Sequence, residues 1–323
     1  MPRMTKTFGA LTLVASIALG ASAASAQDAL KLAIGQRGNW ETAVSEIGQR
    51  AGIFKKHGID LDLLYTAGAG ETLQAIIAGA ADIGIGVGTS GAMSAYSKGA
   101  PVRGIASATV GSNDLYWYVK TDSPIKSLKD ATETTTIAYS TTGSSTNMLV
   151  LGFLKTFNLK SKAEKTGSPP ATLTAVMSGQ VDIGWAAPPF GLKQIEEGQI
   201  RIVGRGSDVP STRNQTVRLL IANANKLAKD KAIITRYMDA YRETLDFMYS
   251  DPKALALYKD FAGIPENLTK KAMTDFYPKT ALDPDRIEGI DGVMTDAVAM
   301  KFIPTPLTKE QLAEFFQVPP RKK

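Results

Sequence analysis

The chain contains one thirteen-residue pattern twice. Residues 72–84 read TLQAIIAGAADIG and residues 172–184 read TLTAVMSGQVDIG, so seven of thirteen positions are identical at an offset of 100 residues. In each copy the apolar residues recur at helical spacing and a glycine follows where a helix would end. An aspartate and a short apolar run, typical of a buried strand, come next. Two copies of one helix–strand unit predict two α/β lobes built alike.

The regions around the two copies alternate between predicted strands and helices. The predicted strands outside the copies lie at 30–34, 59–65, 102–108, 115–120, 134–139 and 216–222. Helices are predicted at 42–54 and 147–157, and prolines divide the C-terminal region into helices at 226–249, 252–262, 265–276, 283–301 and 308–316. This alternation predicts an α/β fold with open, mostly parallel sheets, whose ligands bind beyond the carboxyl ends of the strands.

Two residue counts restrict the chemistry of the chain. Of its 323 residues none is cysteine and one, His57, is histidine. Without cysteine there is no disulfide, thiolate zinc site or cysteine nucleophile, and one imidazole disfavours a two-histidine metal site or a Ser/His/Asp triad. The sequence therefore predicts a protein that is not an enzyme, with no catalytic residue, no metal and no cofactor.

The first 26 residues have the pattern of a secretory signal peptide. Basic Arg3 and Lys6 precede an apolar stretch at 8–19 and small residues at 24–26. An uncleaved N-terminal anchor is the alternative, and the absence of cysteine excludes a lipid-modified one. Removal of this segment, which has two basic and no acidic residues, lowers the formal charge from +6 to +4. The remaining basic residues are dispersed, which argues against a nucleic-acid partner and predicts a periplasmic protein.

Three segments carry a resemblance to a known family. They read AGIFKKHGIDLDL at 51–63, ETLQAIIAGAADIGIGVGTS at 71–90 and SPIKSLKDA at 123–131. In this order they resemble the substrate-binding proteins of nitrate/sulfonate/taurine-type ABC transporters, within the NMT1/THI5-like superfamily. The resemblance extends over nearly the whole predicted mature chain.

This resemblance implies a two-lobed periplasmic-binding-protein (venus flytrap, type II) fold. Two crossover strands, expected near 113–119 and 216–222, would join the lobes, and the C-terminal helices would return to lobe 1. The implied division is a signal peptide at 1–26, lobe 1 at 27–115 plus 220–323, and lobe 2 at 116–219. The ligand is then expected in the cleft between the lobes.

Four loops at predicted strand ends face this cleft: 35–40, 87–91, 140–146 and 185–190. Two of them, 87–91 and 140–146, combine glycine with serine and threonine just before a helix, where backbone N–H groups and the helix dipole favour an anion. The candidate ligand-binding residues are Gln36, Arg37, Asn39, Trp40, Thr89, Ser90, Ser140, Thr142, Gly143, Ser144, Ser145, Trp185, Ala187 and Pro188.

Several of these residues have an ordinary structural alternative. The serines and threonines are also common helix N-caps, and Arg37 is as consistent with a solvated loop as with an ionic contact. Trp40 and Trp185 are suited to stacking on a flat ligand or to core packing. Residues 186–189 lack the acid that many relatives carry beside the tryptophan, which disfavours a ligand with an amino group.

Together these features predict a solute receptor. We expect a monomeric extracytoplasmic binding protein of an ABC importer, with a small anionic organic solute (a sulfonate, a carboxylate or an aromatic acid) as ligand and a membrane permease as partner. The alternatives are an enzyme on the same fold, of the pyrimidine-synthase or menaquinone-pathway type, and a sensory binding module.

Overall fold

Strands and helices alternate through the first two thirds of the computed structural model, which describes Met1 and residues 27–321. The predicted signal peptide, apart from Met1, lies outside the described residues. The strands are β1 (Asp28–Gly35), β2 (Ile59–Thr66), β3 (Ile83–Gly88), β4 (Val102–Val110), β5 (Tyr116–Lys120), β6 (Thr136–Tyr139), β7 (Lys162–Lys165), β8 (Gly184–Ala186), β9 (Ile200–Arg205) and β10 (Thr216–Asn223).

The helices of the N-terminal two thirds connect these strands, and those of the last third follow one another. They are α1 (Val44–Arg50), α2 (Ile53–Lys56), α3 (Ala69–Ile77), α4 (Thr89–Ser97), α5 (Ser145–Thr156), α6 (Pro169–Met177), α7 (Leu192–Glu196), α8 (Ala224–Lys229), α9 (Lys231–Ser250), α10 (Pro252–Ala262), α11 (Glu266–Phe276), α12 (Ile290–Ala299) and α13 (Lys309–Phe315).

The strands form two separate units. The first sheet has the order β2-β1-β3-β10-β4, with β1 parallel to β2 and β3 and with β10 antiparallel to both of its neighbours. The second unit combines the antiparallel sheet β8-β5-β9 with the parallel pair β6-β7, and a bridge between Ile137 and Ile183 connects the two. The mixed α/β, two-unit architecture is the predicted fold class.

Two connections join the first sheet to the second unit, at 111–115 and 206–215. The Ser112 and Thr212 hydroxyls lie 2.9 Å apart and tie the two connections together. The strand predicted to cross at 216–222 is β10, which pairs within the first sheet, so the expected boundary at 219/220 falls inside a strand. The division into lobes at the expected residues stays a prediction.

The two repeat copies have the same structure. Helices α3 and α6 occupy equivalent positions at the offset of 100 residues, and Gly79 and Gly179 both end them with a positive φ. A threonine hydroxyl in each helix bonds a threonine six residues earlier: Thr72 to Thr66 at 2.8 Å and Thr172 to Thr166 at 2.6 Å.

The paired aspartates of the repeats are structural, as predicted. Asp82 Oδ2 accepts the backbone N–H of Lys31 at 2.9 Å, and Asp182 Oδ2 accepts that of Thr136 at 2.8 Å. Each carboxylate therefore connects the turn after a repeat helix, through a hydrogen bond, to the first parallel strand of its own unit. The repeat seen in the sequence is a repeat in three dimensions.

Three predicted helices are shorter than the sequence pattern indicated. The segment 42–54 is a 3-10 turn followed by α1 and α2, because Gly52 adopts a left-handed φ of 77° between them. The helix predicted at 226–249 is interrupted at Asp230, and of 283–301 only α12 is helical. In each case the helical spacing of apolar residues continues in the sequence across a point where the helix ends in the structure.

The C-terminal helices return to the first sheet, as expected. Helix α9 packs against α1 and β2, α12 packs against α4, and α13 packs against β4. Phe315 of α13 is fully buried in a cluster with Val87 and Leu219 of the sheet. Among the described residues there is no helix with the length and apolar character that crossing a membrane requires.

Candidate ligand-binding site

A narrow pocket lies between the first sheet and the second unit. Counted to its open mouth, it has a volume of about 330 Å³. The lining residues are Gly35, Gln36, Glu41, Ala69, Gly86, Leu115, Ser140, Ser144, Ser145, Thr146, Trp185 and Arg218. Without the open mouth, the space between the walls is smaller than an organic solute, so the walls must separate for a solute to enter, and the solute then contacts both of them.

Two helix N-termini converge on this pocket. Ala69 begins α3 on one wall, and Ser145 begins α5 on the opposite wall. Ser144 caps α5, since its hydroxyl accepts the backbone N–H of Asn147 at 3.1 Å. The dipoles of two helices directed at one small volume favour a negatively charged group there.

The hydroxyl groups on the second wall are organised by Thr146. Its Oγ1 lies 2.9 Å from the hydroxyls of both Ser140 and Ser144 and also accepts the backbone N–H of Ser140. All three residues are at most 2% exposed. A connected hydroxyl group of this kind can donate or accept, so it adapts to the oxygen atoms of a polar ligand.

An ion cluster that the sequence analysis did not identify forms the floor of the pocket. Arg218 Nη2 lies 2.8 Å from Glu41 Oε2 and 2.6 Å from Asp114 Oδ2. All three side chains are at most 6% exposed. Thr109 Oγ1 donates to Glu41 Oε2 at 3.1 Å. Two carboxyls therefore share one guanidinium where water has almost no access.

Burial changes the proton affinity of this cluster. It raises the pKa of Glu41 to about 8, and the nearby Asp114 carboxyl adds to the rise, although Arg218 and Thr109 act in the opposite direction. Burial opposes the charge of Arg218, but Asp114 and Glu41 outweigh it and raise the Arg218 pKa. At neutral pH the Arg218 guanidinium is thus charged and the Glu41 carboxyl is mostly protonated.

Five of the predicted ligand-binding residues line the pocket: Gln36, Ser140, Ser144, Ser145 and Trp185. The Trp185 indole N–H is buried and has no hydrogen-bond partner within the described residues. A buried donor of this kind beside a pocket is suited to an acceptor atom supplied by a ligand. The predictions for these residues therefore agree in location with the pocket.

Five other predicted residues lie outside the pocket lining, next to residues that belong to it. Thr89 and Ser90 line a separate small space beside α5. The Thr89 hydroxyl donates to the backbone carbonyl of Thr216 at 2.6 Å. Thr142 and Gly143 face an outer groove between α4 and α5. Asn39 is buried, and its amide donates to the Gln36 side chain at 3.3 Å.

The remaining four predicted residues serve packing or face outward. Arg37 is exposed, with its guanidinium 4.6 Å from the Phe261 ring centroid on α10. Trp40 is fully buried, where its indole N–H donates to the Tyr249 hydroxyl at 3.0 Å. Ala187 and Pro188 are buried and lie outside the pocket lining. The structure therefore does not bring these four to the pocket.

A family model matches residues 42–255 of the chain, and its description is "NMT1/THI5 like". This match covers about two thirds of the sequence. The chain belongs to the NMT1/THI5-like family. No curated protein matches it in a sequence comparison.

Solved structures of periplasmic binding proteins share the fold of this NMT1/THI5-like chain. The aliphatic sulphonate binding protein SsuA from Escherichia coli is 18% identical at a TM-score of 0.68, covering 92% of this chain and 94% of its own. The alkanesulfonate-binding protein SsuA from Xanthomonas axonopodis pv. citri, bound to MOPS, is 14% identical at 0.75, covering 91% and 100%. The nitrate-binding protein NrtA from Synechocystis is 12% identical at 0.67, covering 90% and 85%.

The described part of this NMT1/THI5-like chain contains no group of three or more acidic or imidazole side chains that could hold a metal ion. His57 lies outside the pocket lining, where its Nε2 is 2.8 Å from Glu243 Oε2. The polar groups in the pocket are hydroxyls, the Gln36 amide, backbone N–H groups, an indole and the side chains of Glu41 and Arg218.

Proposed function

We propose that the chain is an extracytoplasmic solute-binding protein of an ABC importer, which binds a small anionic organic solute between its two sheet units. The observation that carries the proposal is the convergence of the α3 and α5 N-termini on one narrow pocket. The similarity in fold to sulfonate- and nitrate-binding proteins supports the same role. The expected ligand is a sulfonate, a carboxylate or an aromatic acid, and the expected location is the periplasm.

The proposed mechanism is capture by two walls. Hydroxyls of Ser140 and Ser144 and the backbone at Ala69 approach the anion from opposite sides, while Trp185 offers an unpaired N–H. A solute that contacts both walls favours the arrangement in which they are close. A permease that recognises this arrangement would then receive only the loaded protein.

An enzymatic function on the same fold is the second candidate, because the family contains enzymes. The pocket supports it less well, since its titratable groups, Glu41 and Arg218, are paired in the buried cluster and no imidazole reaches it. Capture and release of a solute need neither a nucleophile nor a general base.

A thermal-shift screen tests this function. Ethanesulfonate, acetate, benzoate, nitrate and thymine are added to the purified protein in a cationic buffer, because sulfonate buffers are themselves candidate ligands. An anion at 100 times its Kd is expected to stabilise the protein by about 2.7 kcal/mol. Absence of any shift with the anions, together with turnover of any added compound, would contradict the proposal.

Ala69→Asp is expected to separate anion binding from folding. Ala69 is the first residue of α3 and lines the pocket, so an aspartate places a negative charge at the anion position. An acidic residue in the first turn favours a helix, so the melting temperature should be kept. Like-charge repulsion should weaken binding of the anion from the screen at least about tenfold in isothermal calorimetry.

The matched control is Ala171→Asp, in the first turn of α6, the equivalent helix of the second repeat copy. Ala171 is exposed and lies outside the pocket lining, so its substitution should leave the anion affinity unchanged. Equal affinity losses in the two variants would show that the effect is one of overall charge.

A further inference from the structure

We propose that Glu41 is a specificity-determining residue that acts as a protonated carboxyl, donating its hydrogen to an oxygen of the bound anion, so that capture by this pocket is linked to one proton held in the Glu41–Asp114 pair. The inference deepens the proposed solute-binding function and rests on it. The ligand class it names is a monoanion with acceptor oxygens and without an amino group at that position.

The contacts of Glu41 fix where the hydrogen can reside. Both donors that reach this carboxyl, Thr109 Oγ1 and Arg218 Nη2, bind Oε2. Oε1 receives neither of them. Because Glu41 also lines the pocket, a hydrogen on Oε1 has two kinds of acceptor available, the neighbouring Asp114 carboxylate and an oxygen of a ligand.

Asp114 is the second carboxyl of the cluster. The Asp114 and Glu41 carboxyls contact the same nitrogen, Arg218 Nη2, and two ionised carboxylates cannot bond each other because both only accept. Asp114 Oδ2 is occupied by Arg218, while Asp114 Oδ1 is buried without a partner among the described residues. Without a ligand, one hydrogen between the two carboxyls satisfies this arrangement. With an anion bound, Glu41 donates the same hydrogen to the anion.

The net charge of the floor then decides what the pocket accepts. With Glu41 ionised, the cluster of Glu41, Asp114 and Arg218 carries one net negative charge beneath the site and repels an anion. With Glu41 protonated, the cluster is neutral, and the positive potential of the α3 and α5 N-termini dominates. An anion and the Glu41 proton therefore favour each other's binding.

The other groups that face Glu41 keep one charge state over the relevant range. Tyr241 and Tyr249 come from α9 and Tyr277 follows α11, and burial raises the pKa of all three above its ordinary value. They remain neutral between pH 6 and 9, and Arg218 remains charged. Glu41 is the member of the cluster whose proton is released near pH 8.

The test measures ethanesulfonate binding by isothermal calorimetry between pH 7 and 9, in two cationic buffers of different ionisation enthalpy. For the unchanged chain the Kd is expected to rise about tenfold over this range, with uptake of up to one proton on binding at the upper end. Glu41→Gln, which keeps a donor but cannot ionise, is expected to give a Kd that varies less than twofold and no such uptake. Glu133→Gln, at an exposed position, serves as the control and should reproduce the slope of the unchanged chain.

A second measurement needs no ligand. Because the folded-state pKa of Glu41 is raised, its proton stabilises the fold fully below the ordinary glutamate pKa, and this stabilisation is lost as the pH rises through about 8. The melting temperature of the unchanged chain should therefore fall more steeply between pH 5 and 9 than that of Glu41→Gln.

The results of these measurements distinguish failure of the inference from failure of the proposed function. Binding of ethanesulfonate with a flat Kd, or an equal slope in Glu41→Gln, overturns the inference and leaves the proposed function intact. Tighter binding of taurine, which adds an amino group to ethanesulfonate, also overturns it, because that preference requires an ionised Glu41. Failure of ethanesulfonate, acetate, benzoate and nitrate to bind at pH 6 overturns the proposed function itself. If Glu41→Gln does not fold, the proton uptake of the unchanged chain decides.

Discussion

Replacing Arg218 by methionine is expected to lower the free energy of unfolding by about 3–5 kcal/mol and to abolish measurable anion binding. The guanidinium is the cation that both buried carboxyls of the pocket floor contact, at 2.8 Å for Glu41 and 2.6 Å for Asp114. Removing one partner of a buried ion pair leaves an uncompensated charge in a medium of low polarity. Chemical denaturation followed by circular dichroism measures the first effect, and calorimetry with ethanesulfonate measures the second.

Arg213→Met is the matched control for this substitution. Arg213 lies on the connection that leads into β10, five residues before Arg218, but it is exposed. Its loss should change the free energy of unfolding by less than about 0.5 kcal/mol. If the two methionine variants are equally stable, the buried cluster does not stabilise the fold.

A triple variant distinguishes charge from packing. Combining Arg218→Met with Glu41→Gln and Asp114→Asn removes every charge of the cluster and keeps similar volumes. Buried ionic groups replaced together by neutral groups are often as stable as the original, so most of the lost stability should return. Anion binding should return at least in part, because a neutral floor with a donor at position 41 again leaves the positive potential of the α3 and α5 N-termini dominant. A triple variant no more stable than Arg218→Met would assign the loss to packing.

The architecture was predictable because it follows from local patterns repeated along the chain. The spacing of apolar residues in 72–84 and 172–184 fixed two equivalent helix–strand units, and the structure contains α3 and α6 at that offset. Asp82 and Asp182 were predicted to be structural, and each bonds the backbone of the first parallel strand in its unit. These features depend only on residues within one unit, so the sequence of that unit is enough to predict them.

The position of Glu41 at the pocket, in place of the predicted Arg37, was not predictable in the same way. The two lie four residues apart after β1, and Gln36 turns the chain there with a positive φ of 67°. Arg37 is then directed at Phe261 of α10, and Glu41 at Arg218 of β10. Both partners lie more than 170 residues further along the chain, so no local pattern identifies them.

One signal for the ion cluster was present in the sequence. Strand β10 reads TVRLLIAN, in which Arg218 is the only charged residue and its neighbours are apolar on both sides. A single arginine inside a strand buried on both faces requires a carboxylate partner, because an unpaired buried charge is costly. The identity of the partner, Glu41 together with Asp114, still depended on how three distant segments meet.

Gly91→Ala is expected to weaken anion binding by about tenfold or more while leaving the ligand-free protein at least as stable. Gly91 lies in the first turn of α4, at the place where the wall of the first sheet touches the loop before α5. A Cβ atom at this position would lie 2.5 Å from the Gly143 carbonyl oxygen, far inside normal contact. A Cβ atom at Gly88 would lie 2.6 Å from the same oxygen. The two walls therefore contact each other through their backbones.

The two effects of this substitution have opposite signs for separate reasons. Within a helix alanine is more favourable than glycine by about 0.5–1 kcal/mol, which stabilises α4 wherever the walls are apart. Overpacking at a contact between two backbones costs about 1–3 kcal/mol, which disfavours the arrangement in which an anion touches both walls. Calorimetry gives the affinity, thermal melting without ligand gives the stability, and small-angle scattering gives the separation of the two units.

Ser97→Ala, at the exposed end of the same helix, supplies the control, because it changes helix propensity without reaching the opposite wall. Its anion affinity should equal that of the unchanged chain. A Gly91→Ala variant that binds normally would show that the contact with Gly143 is not needed for capture. A variant that melts earlier and binds normally would make it a packing contact alone. A pocket formed by two approaching walls predicts a loss of affinity without a loss of stability. That combination would show that Gly91 allows the walls to approach each other and is not needed for folding.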